Sequence, residues 1–199
     1  MLDRIMGVIT LKAPVYKQIA EDKTATTSAA IIVVVATLIS GFFSGLVKVD
    51  PQTQTSSISI GGAFVGAILA VIFGLIAWAF TAWVLQFVAK MFGGKTDTGE
   101  MLRVTGFVEV FSLVGILNVA AIVPALLCVT GILSLIVGIL RLIGYVIGVR
   151  EAAEFSTTNA IITAVIAAIV NFIIVVVVFG AITAFILIAM GLAGGMSGG

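Results

Sequence analysis

The sequence predicts an all-α integral membrane protein, with five transmembrane helices preceded by a short amphipathic N-terminal segment. Three observations support this. Of the 199 residues only 10% are charged and 61% are hydrophobic, with a mean hydropathy of +1.34. A soluble domain carries roughly 25% charged residues and could not cover its surface with so few. The chain also divides into apolar runs long enough to cross ~30 Å of hydrocarbon, joined by short polar linkers. Finally, Ile31–Val35 and Ile173–Phe179 are apolar without interruption. That excludes the alternating pattern of a membrane β-barrel.

Residues 1–26 form the one sizeable polar segment. Leu2, Ile5, Met6 and Ile9 recur at helical spacing, and Pro14 opens a second turn carrying Val15, Tyr16 and Ile19. With Lys12, Lys17 and Lys23 on their flanks, these residues predict one or two short helices lying at the membrane surface. The five-span membrane domain is expected over residues 27–193. Its first span covers 28–47, SAAIIVVVATLISGFFSGLV. Residues 48–59, with Pro51 and a Gln/Thr/Ser run, read as a loop. The second span, 61–91, is long enough to tilt or to project from the bilayer. The third and fourth, 104–122 and 125–149, form a hairpin about Pro124, which suits the first turn of a helix. The fifth, 159–193, carries no charge, and the Gly-rich tail 194–199 is expected to be flexible.

An odd number of spans places the termini on opposite sides. One side then collects Arg4, Lys12, Lys17, Lys23, Lys90, Lys95, Arg103 and Arg150, and the other collects Lys48 alone. The positive-inside rule puts the N-terminus in the cytoplasm and the C-terminus outside a cell (inner) membrane. Asp3, Arg4, Lys12 and Lys17 interrupt any signal-peptide pattern, so the internal spans are expected to direct insertion.

Composition also excludes chemistries. The chain has no histidine, which removes imidazole bases, histidine metal sites and histidine proton relays. Its single cysteine, Cys128, lies among apolar neighbours and reads as an inert buried thiol. Net charge is +1 with no basic block, so no nucleic-acid partner is expected. No catalytic residue, cofactor or metal site stands out. AKMFGGKT, residues 89–96, fits a relaxed P-loop spacing, but a P-loop follows a buried strand and opens a helix. Here the eight residues end a membrane helix, so nucleotide binding is not expected. Gly93-Gly94 terminates that span, and Asp97 with Glu100 reads as a capping pair for the next helix.

The same stretch carries a family pattern. In GGKTDTGEMLRVTGFVEV the positions Gly93, Gly94, Lys95, Leu102, Arg103, Val104, Gly106 and Phe107 are in place. This resembles the Yip membrane-domain family, those proteins that interact with Ypt/Rab GTPases, in a prokaryotic-type form. LKAPVYKQIAEDKT (11–24) and GVREAAEFSTTNAI (148–161) resemble the family's N-terminal entry and its turn before the fifth span. The resemblance implies a five-span fold. Eukaryotic relatives associate with Rab-type GTPases in vesicle traffic. That role is not carried over, because the long acidic N-terminal region that would host it is nearly absent.

Small residues four apart recur as Gly41/Gly45, Gly62/Gly66 and Gly144/Gly148. This spacing allows close helix approach, either within one bundle or at a homo-oligomer seam. Two ionisable residues fall inside spans. Glu109 lies 15 residues before Pro124 and Arg141 lies 17 after it, so a hairpin brings them to similar depth. A lone charge at depth costs about 2.5–3.5 kcal/mol on insertion scales, so the two are expected to pair. Gln86 and Tyr145 are candidates to complete the cluster. It reads either as a clamp between helices or as an ion path, and a single carboxylate with no histidine favours the clamp. Asn118 and Asn171 read as interhelical hydrogen-bonders. The expected role is a non-catalytic scaffold or accessory subunit that organises membrane proteins or lipids. Its partners are the bilayer and other membrane proteins. The alternative is a component of a small transporter or channel.

Overall fold

Backbone amides in hydrocarbon must be satisfied within their own segment, and the apolar runs accordingly fold as helices. The computed structural model describes residues 1–49, 56–122 and 127–196. In chain order the helices are α1 (Leu2–Ile9), α2 (Ala13–Glu21), α3 (Ala25–Leu46), α4 (Ile60–Met91), α5 (Thr98–Val108), α6 (Leu127–Ala153) and α7 (Thr157–Met196). Two short strands, β1 (Val47–Val49) and β2 (Ser56–Ile58), lie between α3 and α4, and a 3-10 helix, Glu109–Ile122, follows α5. Among the described residues four helices are long and apolar enough to cross a membrane: α3, α4, α6 and the Thr157–Val178 part of α7.

Two expectations are corrected here. The linker after α3 is no simple loop, because Val47 to Val49 pair antiparallel with Ile58 to Ser56 in a small hairpin. Residues 50–55 and Pro124 lie outside the described residues. The third apolar segment is not one long α-helix. It starts at Thr98 as α5 and tightens at Glu109 into a 3-10 helix of 14 residues. At about 2.0 Å per residue those residues reach about 28 Å, against about 21 Å as an α-helix. The tighter winding lets a short run extend from α5 to the β1–β2 hairpin, which it touches. The end of α7 continues through Met196 into the expected tail.

The glycine pairs settle how α3 and α4 meet. The helices run antiparallel, with Gly41 facing Gly66 and Gly45 facing Gly62. A Cβ on Gly66 would sit 2.5 Å from the Gly41 carbonyl oxygen, and one on Gly62 would sit 2.5 Å from that of Gly45. One level deeper, Gly74 abuts Thr37. These glycines therefore serve packing within one chain, where backbones approach without side chains between them.

At the other end of α3 and α4 the short helices build a cap. The apolar face of α2 is not laid on a surface: Tyr16 and Ile19 are fully buried, and α2 packs on α5 and α6. Gly144 and Gly148 of α6 make room for it. A Cβ on Gly144 would stand 3.1 Å from the Tyr16 hydroxyl, and Gly148 lies against Val104 of α5 and the Tyr16 ring. Pro14 stands in the first turn of α2, where its missing N–H costs no hydrogen bond. By contrast, Leu2, Met6 and Ile9 of α1 remain exposed on one face. Beyond the cap, α6 and α7 turn bulky apolar side chains outward, including Ile132, Leu135, Phe172 and Val177. Cys128, expected to be buried, is exposed. It belongs to the first turns of α6, where Val129 and Ile132 also face outward.

Candidate functional site

The cap is fastened by a family-pattern residue. The capping box forms at the start of α5: Asp97 accepts from the Glu100 N–H at 2.7 Å, and Glu100 accepts from the Asp97 N–H at 3.1 Å. It orients α5 so that Arg103, one turn on, points into the cap and is only 6% exposed. The Arg103 Nε–H donates to the carbonyl oxygen of Ala20 at 2.8 Å, and Nη2 donates to the same atom. A buried cation thus meets the carbonyl end of α2, where a helix leaves acceptors unpaired and its dipole is negative. Gly106, next on that face, lies against Ala29 and Trp78, where a Cβ would come within 2.7 Å and 2.9 Å. The Trp78 indole N–H donates to the Leu102 carbonyl (3.2 Å) and the Thr105 hydroxyl (3.0 Å). Arg4 and Asp22 close the α1–α2 hairpin at 2.6 Å. The Thr24 hydroxyl and then Arg4 hydrogen-bond the Asp22 carboxylate and hold its pKa down at about 2. Burial pushes the Tyr16 hydroxyl upward, and that group donates to the Val8 carbonyl at 3.1 Å.

The polar cluster lies directly beneath. Glu109 ends α5 and opens the 3-10 helix, while Arg141 and Tyr145 sit one turn apart on α6. Glu109 Oε1 accepts from Arg141 Nη2 at 2.6 Å and from the Tyr145 hydroxyl at 2.7 Å. Its other oxygen, Oε2, accepts from the Ser112 hydroxyl at 2.6 Å. The Arg141 guanidinium lies over the Tyr145 ring, 5.6 Å from its centre. Glu109 is 12% exposed and Arg141 is 42% exposed. Arg141 Nε is buried and finds no acceptor among the described residues.

The structure brings Glu109, Arg141 and Tyr145 together and leaves Gln86 out. Gln86 lies near the capped end of α4, where its Oε1 accepts from the Thr98 hydroxyl at 3.0 Å. Glu109 is eleven residues farther along from Thr98, beyond side-chain reach. Ser112 takes the place expected of Gln86, and its separation of three from Glu109 is the signal that could have found it. Asn171 accepts from Thr81 at 3.2 Å across α7 and α4 and donates to Ala167 at 2.8 Å. The side chain of Asn118 lies outside the described residues.

The P-loop-like stretch has its backbone amides already engaged. Gly93 and Gly94 donate to Lys90 and Ala89 at 3.1 and 2.9 Å, and Lys95 donates to Ala153 at 3.1 Å. Gly93 adopts φ +82, the left-handed turn that ends α4. Gly94 packs against Phe155. The stretch thus joins α4 to the end of α6, with the amides of Gly93, Gly94 and Lys95 turned to the chain's own carbonyls.

Against this geometry, a family model, the Yip1 domain, matches residues 6–180. No curated protein and no solved structure matches the chain.

Proposed function

The chain belongs to the Yip1 domain family, and from that premise we propose that it is a non-catalytic scaffold or accessory subunit organising other membrane proteins or lipids. It is a multi-pass membrane protein. One observation carries the proposed role: both carboxylate oxygens of Glu109 are held by the chain's own Arg141, Tyr145 and Ser112. A carboxylate so engaged fastens α5 and the 3-10 helix to α6, where a conduit or an acid catalyst would need it free. In this reading residues 104–122 make a fifth crossing of the cell membrane. The cap, with the excess of Lys and Arg, is cytoplasmic, and Lys48 and the C-terminus are outside.

Chemical cross-linking in native membranes, followed by reciprocal purification, tests the role. A stoichiometric protein partner is expected, and Glu109→Leu/Arg141→Leu is expected to keep it. Ion or solute flux through proteoliposomes of the pure protein, lost in that double variant, would instead assign a transporter. Orientation is read on a Cys128→Ala background, where Lys95→Cys is expected to be shielded from external reagent in sealed cells and Lys48→Cys labelled. The reverse labelling pattern overturns the topology.

A further inference from the structure

Among the cap helices, α1 leaves an apolar face exposed. Leu2, Met6 and Ile9 line one side of its two turns. Gly7 and Val8, on the opposite side, are buried, and the exposed polar residues Asp3 and Thr10 border the apolar three.

The helix has a fixed place. Gly7 lies so close to α2 that a Cβ there would stand 2.6 Å from the Val15 side chain. Arg4 holds Asp22 at 2.6 Å, and the Val8 carbonyl accepts from the Tyr16 hydroxyl at 3.1 Å. That same hydroxyl would stand 3.1 Å from a Cβ on Gly144 of α6. Val8 and Gly144 therefore flank one hydroxyl, and α1 also touches the 3-10 helix.

This contact sets the depth of α1. The apolar span of α6, Cys128–Ala153, has 26 residues, where ~30 Å of hydrocarbon needs about 20. The surplus falls at the cap end, where Arg150 and Glu151 lie and where Val149, Ala152 and Ala153 are buried. The hydrocarbon edge then runs near Gly148, and Gly144, one turn below, lies ~6 Å inside it. Leu142 and Ile143, just before Gly144, are exposed apolar residues, as a lipid-facing surface requires. Helices lying in a leaflet bury their apolar face about 5–10 Å into the headgroup/acyl boundary, and the depth of α1 falls in that range. A protein partner fits this face less well. Three side chains on two turns fall far short of the roughly 800 Å² per partner of a stable interface.

We propose that α1 is an interfacial helix seated in the leaflet on the cap side, with Leu2, Met6 and Ile9 among the upper acyl chains. Asp3 and Thr10 then stand at headgroup level. The lipid contact belongs to α1, while Tyr16 and Ile19 of α2 are enclosed in protein. It is built into the fold, because Val8, Gly7 and Arg4 pin α1 to α2, and Arg103 pins α2 to α5. The inference holds for either orientation of the chain and does not rest on the scaffold reading.

The test uses the full chain with Cys128→Ala and Met6→Cys, labelled with a bimane fluorophore in phosphatidylcholine vesicles. Met6 is exposed, so the labelled protein is expected to keep its thermal transition. Doxyl groups near the headgroup end of the acyl chain are expected to quench the label strongly, and doxyl groups at the chain terminus less. Iodide supplied on both sides of the membrane is expected to quench it little. Lys17→Cys, exposed on α2, is expected to behave oppositely, with strong iodide quenching and little from lipid. A phospholipid with a diazirine in its upper acyl chain is expected to mark residues 2–9 and to leave 17–21 unmarked. Equal iodide quenching at the two positions overturns the seat. So does a Met6→Cys label shielded from both quenchers, which would put a protein chain, such as a second copy, on this face.

Discussion

Arg103 on α5 holds the Ala20 carbonyl at the end of α2, across 83 positions of sequence. With the burial of Tyr16 and Ile19 against α5 and α6, this contact makes the N-terminal hairpin part of the fold. Arg103→Ala removes the donor and leaves a buried carbonyl unpaired, which typically costs about 1–3 kcal/mol. The variant is expected to lower the thermal transition in detergent and to raise proteolysis within residues 10–24. Arg103→Lys, which offers one donor centre in place of the fork, is expected to fall between. Wild-type protease resistance in Arg103→Ala would show that the cap is held elsewhere.

Glu109 and Arg141 are expected to behave as a pair. Breaking a buried pair costs about 3–5 kcal/mol, and the exposure of Arg141 puts this one at the lower end. Glu109→Gln and Arg141→Leu should each lower yield and thermal stability. Glu109→Leu/Arg141→Leu should recover much of the loss, since replacing both partners with apolar residues is close to neutral. A double-mutant cycle with no coupling between the two would refute the pair.

The α3–α4 seam discriminates between neighbouring glycines. Gly62→Ala would put a methyl group 2.5 Å from the Gly45 carbonyl and is expected to cost about 1–3 kcal/mol as an overpacking change. Gly61, the adjacent residue, has nothing within 4 Å of such a methyl. Gly61→Ala is expected to be neutral or to stabilise by about 0.4–1 kcal/mol, because it restricts the unfolded chain. Equal thermal transitions for the two variants would disprove the seam.

The cap is expected to loosen in acid. Asp22 titrates from a usual 3.8 down to about 2 in the folded chain, held by Thr24 and Arg4. A depressed carboxylate stabilises fully above its unfolded pKa and loses that contribution as pH falls toward the folded value. Hydrogen exchange in α1 and α2 should therefore be slow at pH 5 and quicken, relative to intrinsic rates, between pH 4 and about 2. Asp22→Asn should remove the change across that window. A wild-type profile in Asp22→Asn would assign the acid response to another group.

Much of this was legible in the residues. The apolar runs located α3, α4, α6 and α7 within a few positions, because hydrocarbon permits little besides helix. Counting from Pro124 brought Glu109 and Arg141 to one depth. The fate of α2 was not legible. Tyr16 and Ile19 give the same stripe whether a lipid surface or a protein groove receives them, and the residue that decides, Arg103, comes 83 positions later. That Gln86 meets Thr98 and not Glu109 was not legible either, because the position of the α4 end against α5 depends on the turn at Gly93. The 3-10 winding after Glu109 likewise depends on packing against α3 and α6.

The burial of α2 also orders events during synthesis. α3 and α4 are neighbours joined by a hairpin, so their contacts are local and can close early. The seat of α2 is made of α5 and α6, and the ribosome has not yet produced either when Tyr16 and Ile19 emerge. At ~5–20 residues per second the wait for Gly148 lasts several seconds or more. Through that interval the N-terminal segment carries its apolar stripe without a groove, while the first two spans are already in the membrane. Tyr16 and Ile19 are made before α5 and α6 and can be seated only after them.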